Sequence, residues 1–304
     1  MSILIFDDKS STYQPLIFTR YPDNTFHVSQ ENKQTIANIF SLSRNNNTAR
    51  TQQTVKINFI DSPSSIEEFL VFIQTVKGIY GGDIKRLYYS VGYLPYARDD
   101  LDGDNRTRLS SIYLNLFSAL GIESRVSILD PHSTLSIEDD DGVKSKILVT
   151  VNIHFGEGLT RLETIVPGRG AVARSVRASQ LHGNTTMHFC SKIRENNNIT
   201  TKLCPTLTEA LRLHDLVVYD DICDGGATFI GIAKEVHTYN PDTNITVCVT
   251  HGIFSKGVWH LLNNGIHEVR FTNSFHQYKD ESIISIIKCK LSPSGEVIEE
   301  VLTI

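Results

Sequence analysis

Val217-Val218-Tyr219-Asp220-Asp221-Ile222-Cys223-Asp224-Gly225-Gly226-Ala227-Thr228 is the stretch on which the reading of this chain turns. An apolar, β-branched run from Leu216 to Tyr219 gives way to two adjacent carboxylates, a third acid, two glycines and a hydroxyl, and an apolar helical segment opens at Phe229. That is the order of a buried parallel strand, a tight turn and a crossover helix. Glycines let backbone N–H groups converge on one anion, and the helix that follows directs the positive end of its dipole at the same place. A phosphomonoester fits among Gly225, Gly226, Ala227 and Thr228. Asp220 and Asp221 would repel it, so they suit the hydroxyls of a ribose whose terminal phosphate lies in the turn. A bare Gly-Gly turn with solvated acids would be no more than a connection. The strand, the acid pair, the spaced Asp224, the glycines and the threonine together point to a ligand.

Two more strands end in polar turns. Lys85 to Val91 leads into Gly92-Tyr93-Leu94-Pro95-Tyr96-Ala97-Arg98, and Arg125 to Leu129 leads into Asp130-Pro131-His132-Ser133. Ligands of open parallel sheets collect at the carboxyl ends of strands, so all three turns stand where chemistry is expected. Ser65 to Val76 and Arg108 to Leu120 have the apolar spacing of amphipathic helices, with Gly121 as a stop for the second. The acidic turn Glu138 to Asp141 reads as a surface connection or an edge hairpin within residues 136 to 158, and its charges as solvated ones. The expectation is an α/β chain of two lobes, 1–135 and 136–304.

Composition sets limits. With 304 residues, 40% of them hydrophobic, the chain can bury a large core. A net charge of -5 provides no basic field for nucleic acid. No apolar run approaches the roughly 18 residues of a membrane-spanning helix, and Asp7 and Asp8 stand where a signal peptide would be cationic, so a cytoplasmic protein is expected. Five cysteines without a CxxC spacing read as free thiols, with neither a disulfide framework nor a zinc site.

The Asp220 turn resembles the DDxxDTGGT pattern of ribose-phosphate pyrophosphokinases (PRPP synthetases) and of type I phosphoribosyltransferases. Other blocks favour the kinases. Gly92 to Asp100 (GYLPYARDD) is similar to their PYxxYARQD, whose arginine contacts ATP, and Leu129 to His132 (LDPH) to their DLH, whose histidine lies at the metal and triphosphate. Thr250 to Ser255 resembles the THPIFS segment, Tyr21 to Phe26 sits where the FSDGE adenine turn falls, and Lys192 and Arg194 resemble the KxR of the flexible catalytic loop.

This resemblance implies two phosphoribosyltransferase-like lobes, each a mostly parallel sheet flanked by helices. It implies Mg²⁺-dependent transfer of the β,γ-diphosphoryl group of ATP to the anomeric hydroxyl of ribose 5-phosphate, giving PRPP and AMP. ATP would meet Asp23, Thr25, Arg98, Asp99, Asp100 and His132. The ribose phosphate would meet Asp220, Asp221, Asp224, Gly225, Gly226, Ala227 and Thr228, with His132, Asp220 and Asp221 at the metal. Lys192 and Arg194 would be catalytic, as two cations that close on the transferring group only when substrate is bound. The family also implies a homo-oligomer, dimer or hexamer, with adenine held partly by a neighbouring chain.

The chain departs from the pattern in several places. Pro167-Gly168-Arg169-Gly170-Ala171 replaces PDxGG without its aspartate, Gly-Gly-Ala-Thr replaces Thr-Gly-Gly-Thr, Asp99 replaces glutamine, and Thr25 replaces glutamate. Three alternatives therefore stay open: the same chemistry on ADP-ribose in an NAD⁺-rebuilding pathway, a phosphoribosyltransferase, and a silent synthetase-associated subunit.

Overall fold

Leu216, Val217, Val218 and Tyr219 are each 0% exposed in the computed structural model, which marks their strand as a central one covered on both faces. The structure describes residues 2–7, 12–20, 22, 26–44, 54–59, 70–71, 74–75, 78, 86–94, 98, 123–132, 145–150, 153–160, 162–184, 186–195, 198–203, 215–272, 274–275, 285–291 and 297–302. The chain divides into two units, Met1–Thr150 with Leu291–Glu296, and Val151–Lys290 with Val297–Ile304.

The first unit holds β1 (Ser2–Asp7), β2 (Thr12–Arg20), β3 (Phe26–Val28), α1 (Gln30–Arg44), β4 (Thr54–Phe59), β5 (Arg86–Val91), β6 (Glu123–Leu129) and β7 (Ser145–Thr150). Its sheet runs β3-β2-β1-β4-β5-β6-β7. From β4 to β7 all pairs are parallel, while β1 meets β2 and β4, and β2 meets β3, in antiparallel fashion. Ser29 starts α1 as its N-cap, its hydroxyl accepting from the Asn32 amide at 3.2 Å. Within the helix expected from Ser65 to Val76, Leu70, Val71, Gln74 and Thr75 are helical. The helix expected from Arg108 to Leu120 lies outside the described residues.

The second unit holds β8 (Glu163–Val166), α2 (Val172–His182), β9 (Met187–Glu195), β10 (Asn198–Leu203), β11 (Leu216–Cys223), α3 (Ala227–Tyr239), β12 (Ile245–Gly252), α4 (Trp259–Leu262), β13 (Glu268–Thr272), β14 (Ser285–Leu291) and β15 (Val297–Leu302). The sheet order is β10-β9-β8-β11-β12-β13-β14-β15. Every pair from β9 through to β14 is parallel. Ile165, Val218, Val247 and Val249 from the sheet pack with Phe229, Ile232, Ala233 and Val236 of α3 in one hydrophobic cluster. Such packing places the following turns at one edge of the sheet. α2 ends in Gly183 at φ 71, the left-handed C-cap that glycine supplies without strain.

Three differences from the sequence reading have physical causes. The stretch 136–158 is not only a connection: β7 extends the first sheet as a parallel strand beside β6, and the division between the units falls after Thr150. β11 does not stop at Tyr219 but runs to Cys223, because its pairing with β12 continues from Asp220↔Val249 to Cys223↔Gly252. Lys192 and Arg194 stand not on a loop but on β9, opposite Thr201 and Ile199 of β10. No helix among the described residues is long and apolar enough to cross a membrane.

Candidate functional site

The turn after β11 is held by its neighbours. The carbonyl of Cys223 accepts from the amides of Ile253 at 2.9 Å and Phe254 at 3.0 Å, which clamps the turn after β12 against it. Gly226 sits at φ 76, and a Cβ there would lie 2.7 Å from Leu261 Cδ2, so both backbone and space require glycine. Gly226 is also the residue that opens α3, and no side chain caps the helix. The first-turn amides of a 13-residue helix thus face the turn as an anion would need. Behind it, Ser274 Oγ lies 2.7 Å from His251 Nδ1 and donates to the Thr250 carbonyl at 2.9 Å, tying the ends of β12 and β13 together.

Asp220 and Asp221 are the next layer, and Asp221 is only 3% exposed. Arg174 Nη1, from the first turn of α2, lies 3.9 Å from Asp220 Oδ1 and 3.7 Å from Asp221 Oδ1. Asp220 Oδ1 also accepts from the Asp221 amide at 3.0 Å. Burial, then the Asp221 charge and a hydrogen bond with its carboxyl, push the Asp220 carboxyl up to about 7, with Arg174 pulling the other way. The two carboxyls lie close enough to titrate together, and Arg174 faces both. Cys223 is pushed up to about 12 by burial and by Asp220 and Asp224, so it remains a thiol and no nucleophile.

A resident Mg²⁺ would need more oxygen than this. Among the described residues no three His, Cys, Asp or Glu side chains gather into a metal cage, and the Asp220–Asp221 pair already shares a guanidinium. The donors suit an ion carried largely by substrate phosphates and water, which is how Mg²⁺ is commonly bound.

In the first unit β5 and β6 end side by side, with Val91 opposite Ile128. Gly92 to Leu94 and Asp130 to His132 therefore leave the same edge of one parallel sheet. Leu94 is buried and Arg98 exposed. Asp130 is 1% exposed and holds φ 36, a left-handed backbone that aspartate tolerates better than most residues, and His132 after it is exposed. Asp23, Thr25, Asp99 and Asp100 lie outside the described residues. β9 pairs with β8 only over Met187–Phe189, so from Cys190 onward β9 and β10 continue as a two-stranded ribbon that carries positions 192 and 194 on one face.

Arg174 and Lys256 were not singled out by the sequence. Arg174 had a detectable signal, since a cation in the first turn of a helix opposes the macrodipole and needs a partner. Lys256 follows the Thr250–Ser255 segment, and its Cε lies 3.8 Å from where a Gly225 Cβ would stand. Its proximity to the turn is a tertiary fact without a local pattern.

No protein-family model matches the chain. It is 26% identical over 225 residues to a ribose-phosphate pyrophosphokinase of Mycoplasmopsis pulmonis, covering 71% of this chain and 67% of that protein. A ribose-phosphate pyrophosphokinase of Sulfurisphaera tokodaii is 25% identical over 226 residues, covering 72% and 74%. The crystal structure of phosphoribosylpyrophosphate synthetase from Mycobacterium smegmatis superimposes with a TM-score of 0.67 at 16% identity, covering 92% of this chain and 87% of that one, which shows the shared α/β fold. With the phosphate turn, the YAR and DPH blocks and these likenesses in the same order along the chain, the protein is similar to the ribose-phosphate pyrophosphokinases, at the distance of a divergent relative.

Proposed function

We propose that the chain transfers the β,γ-diphosphoryl group of ATP to the anomeric hydroxyl of ribose 5-phosphate. The observation that carries this reading is the turn from Asp224 to Thr228, a glycine-built cradle at an uncapped helix N-terminus with the buried Asp221 and the partly buried Asp220 beside it. Backbone amides of Gly225 to Thr228 take the terminal phosphate, and Asp220 and Asp221 accept from the ribose hydroxyls. The anomeric oxygen attacks the β-phosphorus as the bond from that phosphorus to the α-phosphate oxygen breaks. AMP leaves and the hydroxyl proton is released.

Little covalent chemistry falls to the chain, so its residues position the substrates and neutralise charge. Arg98 and His132 meet the triphosphate, Asp23, Thr25, Asp99 and Asp100 the rest of the nucleotide. Lys192 and Arg194 bring two cations to the transferring group on a ribbon rather than a loop. Mg²⁺ bound to ATP supplies further charge neutralisation, with His132, Asp220 and Asp221 as the side chains that would touch it.

A second acceptor, ADP-ribose, is favoured by one observation. Around Gly225 the nearest atoms to a would-be side chain are Lys256 Cε and Ser255 Oγ, both on exposed residues, and Arg169 is exposed at the end of the adjoining β8. Open space and cations suit a phosphate that is esterified onward. AMP release with each acceptor in parallel decides between them. ATP binding with no AMP from either acceptor would refute the kinase reading, and base-dependent pyrophosphate release from PRPP would replace it by a transferase.

A further inference from the structure

The turn between β12 and α4 puts a cation over the cradle. Phe254 holds φ 45, a left-handed backbone that non-glycine residues rarely adopt. Its surroundings enforce it: the amides of Ile253 and Phe254 both donate to Cys223, the ring is 6% exposed, and it meets Phe271 edge-on at 4.9 Å. A Cβ on Gly252 would collide with that ring, so the glycine is part of the same device. Gly257, at φ 78, then closes the turn with its amide donating to the Phe254 carbonyl at 2.7 Å. What this strained turn presents outward is Ser255 and Lys256, both exposed.

Lys256 carries the charge of that turn. Among the described residues its ammonium has no ion-pair or hydrogen-bond partner. Its stem passes the bare face of Gly225, with Cε 3.8 Å from the place of a Cβ, and Ser255 Oγ stands 4.0 Å from the same point. Gly225 itself leaves that face without a side chain. The ion pairs of Asp220 and Asp221 run to Arg174 on α2, at 3.9 and 3.7 Å, and not to the lysine.

Resting on the acceptor reading above, we infer that Lys256 is a further binding residue of the acceptor site, placing its ammonium on the phosphate that the Gly225–Thr228 amides hold. Backbone amides fix where the phosphate sits, and the ammonium, a compact charge on a flexible stem, raises affinity without dictating geometry. The residue acts on acceptor binding in ground state and transition state alike, so it moves KM and leaves kcat in place.

The test measures ribose 5-phosphate binding by calorimetry, and KM for ribose 5-phosphate and for ATP, in the wild-type chain and in the variants Lys256→Met and Lys256→Arg. Lys256→Met keeps the stem that packs beside Gly225, so the fold is undisturbed. The expected result is ribose 5-phosphate affinity weakened about 10-fold or more in the Met variant and within about 3-fold of wild type in the Arg variant, the size of one charge-assisted contact. KM for the acceptor rises in step, with kcat and the KM for ATP unchanged. Wild-type affinity in the Met variant, against a wild-type chain that binds ribose 5-phosphate, overturns the inference alone. A wild-type chain that neither binds ribose 5-phosphate nor releases AMP overturns the acceptor reading and this inference with it.

Discussion

The turn after β6 and the turn after β11 occupy equivalent places, each at the carboxyl end of a parallel strand, yet they are built of different materials. After β11 the groups proposed to bind are backbone amides: Gly226 is left-handed, and a side chain there would strike Leu261. After β6 a left-handed backbone is adopted by Asp130, which is buried, and the group turned outward is the His132 side chain. A backbone site of this kind is most sensitive to an added Cβ, as at Gly226, and less to the exchange of one side chain around it. A side-chain site has the opposite sensitivity.

The largest effect should come from breaking the backbone site. Gly226→Val forces a β-branched residue into φ 76 and against Leu261, and should destabilise the chain by about 2–4 kcal/mol and abolish acceptor binding, read by thermal unfolding and calorimetry. Next, Lys192→Ala should lower kcat by about 100-fold while ATP affinity changes by no more than a few-fold, since a cation that acts on the transferring group matters chiefly in the transition state. An unchanged kcat would remove the ribbon from the mechanism. Arg174→Met leaves the buried Asp221 and the partly buried Asp220 without their shared guanidinium, which should cost about 2–3 kcal/mol of stability and raise the acceptor KM about 10-fold; adding Asp220→Asn should recover much of the stability.

A pH test sharpens the contrast between buried charge and buried neutrality. His182 is 5% exposed, its Nε2 accepts from the Phe155 amide at 3.2 Å, and burial, His154 and Arg270 pull its pKa down to about 4. The folded state therefore keeps the ring neutral while the unfolded chain takes a proton below about 6.5. Its contribution is whole above that pH and is lost as pH falls toward 4, a change on the order of 2–3 kcal/mol. Urea unfolding at several pH values should show that slope in the wild type and a flatter one in His182→Gln. The smallest effect is His132→Ala, which should shift stability by less than about 0.5 kcal/mol because the ring is exposed, while slowing AMP release.

Much of the second unit was legible from residues 216 to 229, because a wholly apolar strand, a glycine turn and an apolar helix are local signals. The end of that strand was not. Asp220 to Cys223 look like a turn by composition, and only the partner strand β12 keeps them extended. In the same way Lys192 and Arg194 sit in a polar stretch that reads as a loop, and their strand exists because β10 pairs with it. Arg174 and Lys256 converge on the turn from elements 46 and 36 positions away from Asp220, by 220 − 174 and 256 − 220, so no window along the chain contains the contact.

The β9–β10 ribbon carries an arithmetic of its own. Inserting one residue between its root at Phe189 and position 192 would turn both cationic positions over to the opposite face; inserting two would restore the face and lengthen the reach by about 6.6 Å. Relatives of this chain can thus change the length of that arm only in even steps if the pair of charges is to keep its aim.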